Sequence, residues 1–122
     1  MTRAVRGAIQ VRVNDKAAIY ESTQRLIGEI LKINNIREQD IISILFSLTD
    51  DLDAGSPATG LRETGFTETP LFCSQEARVA GGMARIIRVL LTFEGKSRRR
   101  PSPVYLDGAE ALRPDITQGR GL

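Results

Sequence analysis

Arg88 is where chemistry would start. It stands in Ile86-Ile87-Arg88-Val89-Leu90-Leu91, a run that is apolar on both strand parities. Stripping a guanidinium of water is costly unless it finds a partner. Two readings follow. One is an internal ion pair, with Glu76 as a candidate carboxylate. The other is a cation held in a dry pocket for an anionic ligand, where a low dielectric lengthens its reach. Glu76 follows the run Pro70-Leu71-Phe72-Cys73-Ser74-Gln75. At a strand end its carboxylate could take a salt bridge, a substrate hydroxyl or water. Cys73 falls on the opposite parity from Glu76, and a lone buried cysteine ordinarily behaves as a small hydrophobe. Arg6 is on the polar parity of an alternating stretch near the start. Arg62 lies in a short helical stretch, and Arg113 precedes Pro114 in extended backbone. Tyr105 faces away from both Val104 and Leu106, so its phenol suits a carboxylate or a core edge. Taken singly, exposure or packing accounts for each residue. Taken together, strands ending in Arg, Tyr, Glu and Cys suit a pocket for a small polyanion.

The composition narrows the chemistry further. There is no histidine among the 122 residues, which excludes a Ser-His-Asp triad and His-ligated zinc or haem. Without histidine a thiolate at Cys73 is a poor candidate nucleophile. There is no Walker loop, no GxGxxG and no CxxC, so no cofactor is expected. One cysteine cannot form an internal disulfide, which favours a reducing compartment and a cytoplasmic location. With 17 basic and 15 acidic residues the net charge is +2, too small alone to argue for nucleic acid. The basic loop 96–100, with Arg98-Arg99-Arg100, could serve a binding module. Two Tyr and four Phe give only six aromatics, with no RNP-like strand, so no nucleic-acid partner is expected. No stretch approaches the ~20 apolar residues of a membrane span.

The elements that must position these residues can be read from periodicity. At 41% apolar and 26% charged, the chain fits one domain with one core, assigned to residues 1–116 with a mobile tail over 117–122. Alternation predicts a strand over 4–13. Asn14 is the expected N-cap of a long helix, with Asp15 in its first turn. Ile19, Thr23, Leu26, Ile27, Ile30 and Ile33 continue it at helical spacing, Glu21 and Arg25 form an i,i+4 pair, and Asn34-Asn35 ends it. A buried strand over 41–49 follows. Ser56 and Pro57 open a short helix that stops at Gly65. Strands are expected over 69–75, 85–94 and 104–112, the last broken at Gly108. The fold class is α+β, a mixed five-stranded sheet with one long and one short helix on one face.

The order of short motifs is also informative. Arg6-Gly7-Ala8, Pro57-Ala58 with Arg62-Glu63, the 70–76 run, Gly81-Gly82, Ile87-Arg88-Val89, Val104-Tyr105-Leu106 and Leu112-Arg113-Pro114-Asp115 occur in sequence. In this the chain resembles the AroH type of chorismate mutase over nearly its whole length. The resemblance implies a homotrimer whose sheets form a pseudo-α/β barrel, with sites in clefts between subunits. It implies a Claisen rearrangement of the dianion chorismate to prephenate, towards phenylalanine and tyrosine. That step needs no covalent intermediate and no proton transfer, so a chain without histidine is compatible with it.

Roles follow from the same resemblance. Arg88 would face the breaking ether oxygen, where negative charge develops. Arg6 would pair with a substrate carboxylate. Glu76 and the Cys73 region would hold the ring hydroxyl, with contact at Phe72 through backbone. Tyr105 would donate to a carboxylate, and Arg62 and Arg113, beside Leu112, would help enclose the dianion. The chain departs from the family at Ser56, where Phe is common, and at Thr59, where Lys is common. Both would lie at the site mouth. Ser102-Pro103 replaces a usual Arg-His, and the basic loop 96–100 is unusual. The alternatives weighed are a catalytically weakened mutase and an imine-hydrolysing deaminase on a similar trimeric scaffold.

Overall fold

The computed structural model describes residues 1–114. The expected tail over 117–122 lies outside the described residues. Five strands and two helices run in the order β1 (Thr2–Gln10), α1 (Lys16–Ile33), β2 (Ile41–Leu48), α2 (Pro57–Arg62), β3 (Leu71–Gln75), β4 (Ile86–Glu94) and β5 (Val104–Leu106). The sheet order is β3-β2-β4-β1-β5. β4 is antiparallel to both its neighbours, while β2–β3 and β1–β5 are parallel. The α+β class, the five strands and the placement of both helices on one face agree with the sequence reading.

One face of the sheet is covered because its parity is apolar on every long strand. Val5 and Ile9 of β1, Ile44 and Phe46 of β2, and Ile87, Val89, Leu91 and Phe93 of β4 are buried there. They meet Ile19, Leu26, Ile27 and Ile30, the apolar stripe of α1. Gly7 lets helix and sheet approach. A Cβ there would lie 2.8 Å from the Val104 carbonyl oxygen and 3.0 Å from Ile30 Cδ1. The short helix α2 buries Ala58 and adds Leu61 to the same core. No helix among the described residues is long and apolar enough to cross a membrane.

Several boundaries differ from expectation for local reasons. β1 begins two residues earlier and ends at Gln10, where the chain turns towards α1. The N-cap is Asp15, not Asn14: Asp15 Oδ1 accepts from the Ala18 amide at 2.7 Å. Asn14 instead clasps the 53–54 loop, its Oδ1 accepting from the Asp53 and Ala54 amides and its Nδ2 donating to Asp53. Arg25 pairs not with Glu21 but with Asp107, at 2.6 Å. The last strand spans three residues instead of nine. Asp107 (φ 55°) and Gly108 (φ 103°) turn left-handed after Leu106, and Ala109–Leu112 form a 3-10 turn. α2 stops at Arg62, short of the expected end at Gly65.

Candidate active site

The uncovered face carries the residues that could act on a ligand. Register places Arg88 of β4 between Ser47 of β2 and Ala8 of β1, while Ser74 lies beyond Ser47 and Tyr105 beyond Ala8. One line across five strands therefore reads Ser74, Ser47, Arg88, Ala8, Tyr105. Glu76 lies one step past β3, held by its amide donating to the Leu48 carbonyl at 2.8 Å. Its Oε2 accepts from Ser47 Oγ at 2.8 Å and from Arg88 Nε at 3.1 Å.

This arrangement separates the two readings of Arg88. Its side chain is 45% exposed, not buried, and it does pair with Glu76. A pair at that exposure adds little to stability. What it fixes is direction. The carboxylate engages Nε alone, and both terminal amino groups of Arg88 have no protein partner among the described residues. A guanidinium aimed by a carboxylate, with two donors free, is preorganised for an oxyanion. A cavity of about 350 Å³ opens beside it, lined by Thr49, Asp50, Asp51, Glu76, Arg78 and Arg88 together with the 79–84 loop.

Arg6 lies on the same face, opposite Leu90, and is exposed. It is diagonal to Arg88, a relation that puts the two residues roughly 7–8 Å apart, with their Cβ atoms somewhat closer. Tyr105 packs with Met83 and Leu112 against Ala8, Ile86 and Ala109, a small cluster separate from the main core. Arg113 follows directly and is half-buried. The structure thus brings Arg88, Glu76, Arg6, Tyr105 and Leu112 to one face.

The other expected residues form a second group. Cys73 opposes Phe46 on the covered parity and packs against the main core, with Sγ 3.5 Å from Ser56 Oγ. Thr59 and Arg62 are exposed on α2. Phe72, on the open face opposite Leu45, is 64% exposed. Among the described residues no hydrogen bond or ion pair joins Ser56, Thr59 or Arg62 to Arg88. The reason is geometric: α2 and Arg88 lie on opposite faces of one sheet.

Sequence reasoning missed Ser47 and the segment that follows it. Ser47 was visible only as a hydroxyl in an apolar run. Thr49 read as the end of a strand and Asp50 and Asp51 as the start of a loop, yet the three line the cavity together. Thr49 Oγ1 donates to Asp51 and accepts from the Ile86 amide, and the Asp51 carboxylate accepts from the Arg85 amide. These bonds set the start of β4, two residues before Arg88.

Fold and site define the class: a small α+β protein whose sheet presents a carboxylate-aimed arginine on its open face. The family is more specific. Residues 2–116 match the family model for chorismate mutase type I, and the chain belongs to that family. It is 35% identical over 118 residues to the chorismate mutase AroH of Thermus thermophilus, covering 95% of this chain and 97% of that protein. It is 34% identical over 119 residues to that of Bacillus subtilis (strain 168), covering 96% and 94%. A solved chorismate mutase from Clostridium thermocellum superposes with a TM-score of 0.85 at 41% identity, over 89% of this chain and 98% of that one.

Proposed function

We propose that this protein is an isomerase that rearranges chorismate to prephenate. The observation that carries the reading is the aimed guanidinium of Arg88. In the rearrangement one C–O bond breaks as one C–C bond forms within the same molecule, and no proton is transferred. Negative charge gathers on the departing ether oxygen. The free amino groups of Arg88 stabilise that charge more in the transition state than in the ground state, which is the condition for acceleration. Glu76 and Ser47 hold the guanidinium still, so little reorganisation is needed at the moment of reaction. Glu76 also accepts from the ring hydroxyl, with the Cys73 region closing that side. Arg6 and Tyr105 meet one substrate carboxylate, and Arg62 and Arg113 enclose the dianion. Phe72 contributes backbone contact, and Ser56, Thr59 and Leu112 line the mouth. No cofactor is invoked. Family membership removes the imine-deaminase alternative.

The working form we propose is a homotrimer with sites between subunits. Two observations support it. The groups assigned to one substrate lie on opposite faces of a single chain, so Arg62 and Thr59 reach Arg88 only from a neighbour. Phe72, Leu45 and Leu90 also leave an apolar strip on the open face, at 64%, 46% and 44% exposure. The location proposed is the cytoplasm, because the single cysteine suits a reducing compartment.

The test is loss of chorismate's ultraviolet absorbance with purified protein, beside Arg88→Ala purified identically. The variant should lose roughly 10²- to 10³-fold in kcat, the scale of one preorganised donor, with its circular dichroism unchanged. Equal rates in the two would sink the assignment of Arg88. Activity in neither would mark a weakened homologue.

A further inference from the structure

The wall of the cavity beside Arg88 is held by a device outside the residues assigned above. The chain leaves β3 at Gln75, passes Glu76, and returns to β4 at Ile86 through a loop with glycines at 81 and 82. Residues 76–84 all line the cavity. Both ends of this loop are tied to the same short segment, Thr49-Asp50-Asp51. At the returning end, Asp51 accepts from the Arg85 amide at 3.1 Å and Thr49 Oγ1 accepts from the Ile86 amide at 2.9 Å. At the departing end, Arg78 Nε lies 2.9 Å from Asp50 Oδ2.

The position of that last contact matters. Leu48 pairs with Gln75, the Glu76 amide donates to Leu48, and Asp50 then meets Arg78. The ion pair therefore continues the β2–β3 pairing past the end of the ladder. It tethers the side chain two residues beyond the carboxylate that aims Arg88. The two strand-end bonds at Asp51 and Thr49 are backbone clamps. The Asp50–Arg78 pair is different: its side chains are 31% and 78% exposed. An exposed pair is weak and screened by salt. It can release without unfolding anything.

We propose that the Asp50–Arg78 ion pair is a latch on the active-site wall, which makes Arg78 a positioning residue for the 77–84 loop and the cavity it lines. The inference rests on the chorismate reading of the site. Closed, the latch keeps the loop against the 49–51 segment and the cavity in its binding shape. Open, it loosens the loop for passage of a ligand. Its contribution lies in binding, since Glu76 and Arg88 are held by bonds to Leu48, Ser47 and each other that do not involve the latch.

The experiment compares wild type with Asp50→Asn, Arg78→Gln and the charge exchange Asp50→Arg/Arg78→Asp. Steady-state chorismate turnover is measured at low and high salt, and amide hydrogen exchange over residues 77–84 is followed without substrate. Each neutral variant should raise KM by roughly two- to fivefold, the scale of an exposed pair, with kcat and thermal midpoint held. The exchange variant should return KM towards wild type. High salt should shrink the ratio of variant to wild-type KM towards one. Exchange in the loop should quicken in both neutral variants and recover in the charge exchange. A direct substrate cation predicts something else: Arg78→Gln raises KM while Asp50→Asn, by freeing Arg78, lowers it. That split would overturn the latch, as would unchanged loop exchange in both neutral variants. A wild type that leaves chorismate untouched yet shows the loop-exchange pattern would keep the latch and defeat the functional reading instead.

Discussion

The two faces of one sheet divide the work of this molecule. Residues 87, 89, 91 and 93 of β4 are buried under α1 and α2, while 88 and 90, between them, are exposed. The strand is the same and so is the backbone ladder. What differs is what lies above each parity. On β4 the covered parity supplies volume, and close packing there fixes the strand positions. The open face uses that fixed backbone as a ruler, setting Ser47, Arg88 and Tyr105 at known spacing. Arg88, Glu76, Arg6 and Tyr105, the groups proposed for the charge chemistry, sit on the side that α1 and α2 leave uncovered.

Neighbouring residues on β2 test this division most strongly. Phe46 is the largest fully buried side chain, and Leu45 beside it faces the open side. Phe46→Ala should cost ~3–5 kcal/mol of stability through lost burial and a residual cavity, read as a fall in the denaturant midpoint. Leu45→Ala should cost far less of the subunit's own fold. Equal losses at the two positions would mean that the open face is packed within the subunit, and the contrast between faces would fail.

The faces are not independent, because they share a backbone. Gly7 shows where the coupling is strongest. Its alanine variant places a methyl against the Val104 carbonyl and the tip of Ile30 on the covered side. The residue next to Val104 is Tyr105, on the open side. Overpacking of this kind costs typically ~1–3 kcal/mol. β5 holds to β1 by only three paired positions, Gly7–Val104, Ala8–Tyr105 and Ile9–Leu106, so it is the element that gives way. Gly7→Ala should therefore raise KM through displaced Tyr105 as well as lower stability. A variant that lost stability but kept its KM would show that the strain goes into α1 instead.

Much of this was legible in the sequence, and the failures have physical causes. The covered face writes itself as period-2 strands and a 3.6-residue helical stripe, so fold class, helix α1 and the strand order along the chain could be read. Short-range competition could not. Asn14 and Asp15 are both good caps, and which one caps depended on the 53–54 loop that captured Asn14. The final strand looked long because Val104 to Leu112 is broken only at Gly108, but β1 offers it only three partners. Arg88 looked buried because its neighbours in sequence are apolar on both parities. Periodicity reports which faces are apolar, not which are covered within one chain. Glu76 was legible as a partner for Arg88. Ser47, Asp50 and Arg78 were not, since their roles arise from the register of β2 against β3.

The smallest effect on the subunit's own fold belongs to the apolar strip, and it sharpens the comparison most. Leu45 and Leu90 pair across β2 and β4 on the open face. A lysine at position 45 stays half in solvent in the isolated chain, so Leu45→Lys should shift subunit stability by no more than ~0.5 kcal/mol. Its consequence appears only where subunits meet. If the strip is an interface, association stabilises the wild type by mass action, and its thermal midpoint rises with protein concentration. The variant should lose that dependence, sediment as a monomer, and converge with wild type at high dilution. Because Arg62 and Arg88 would then no longer share a site, turnover should fall with the trimer. A midpoint for Leu45→Lys below wild type at every dilution would instead place Leu45 in the subunit's own packing, and the open face would no longer be open.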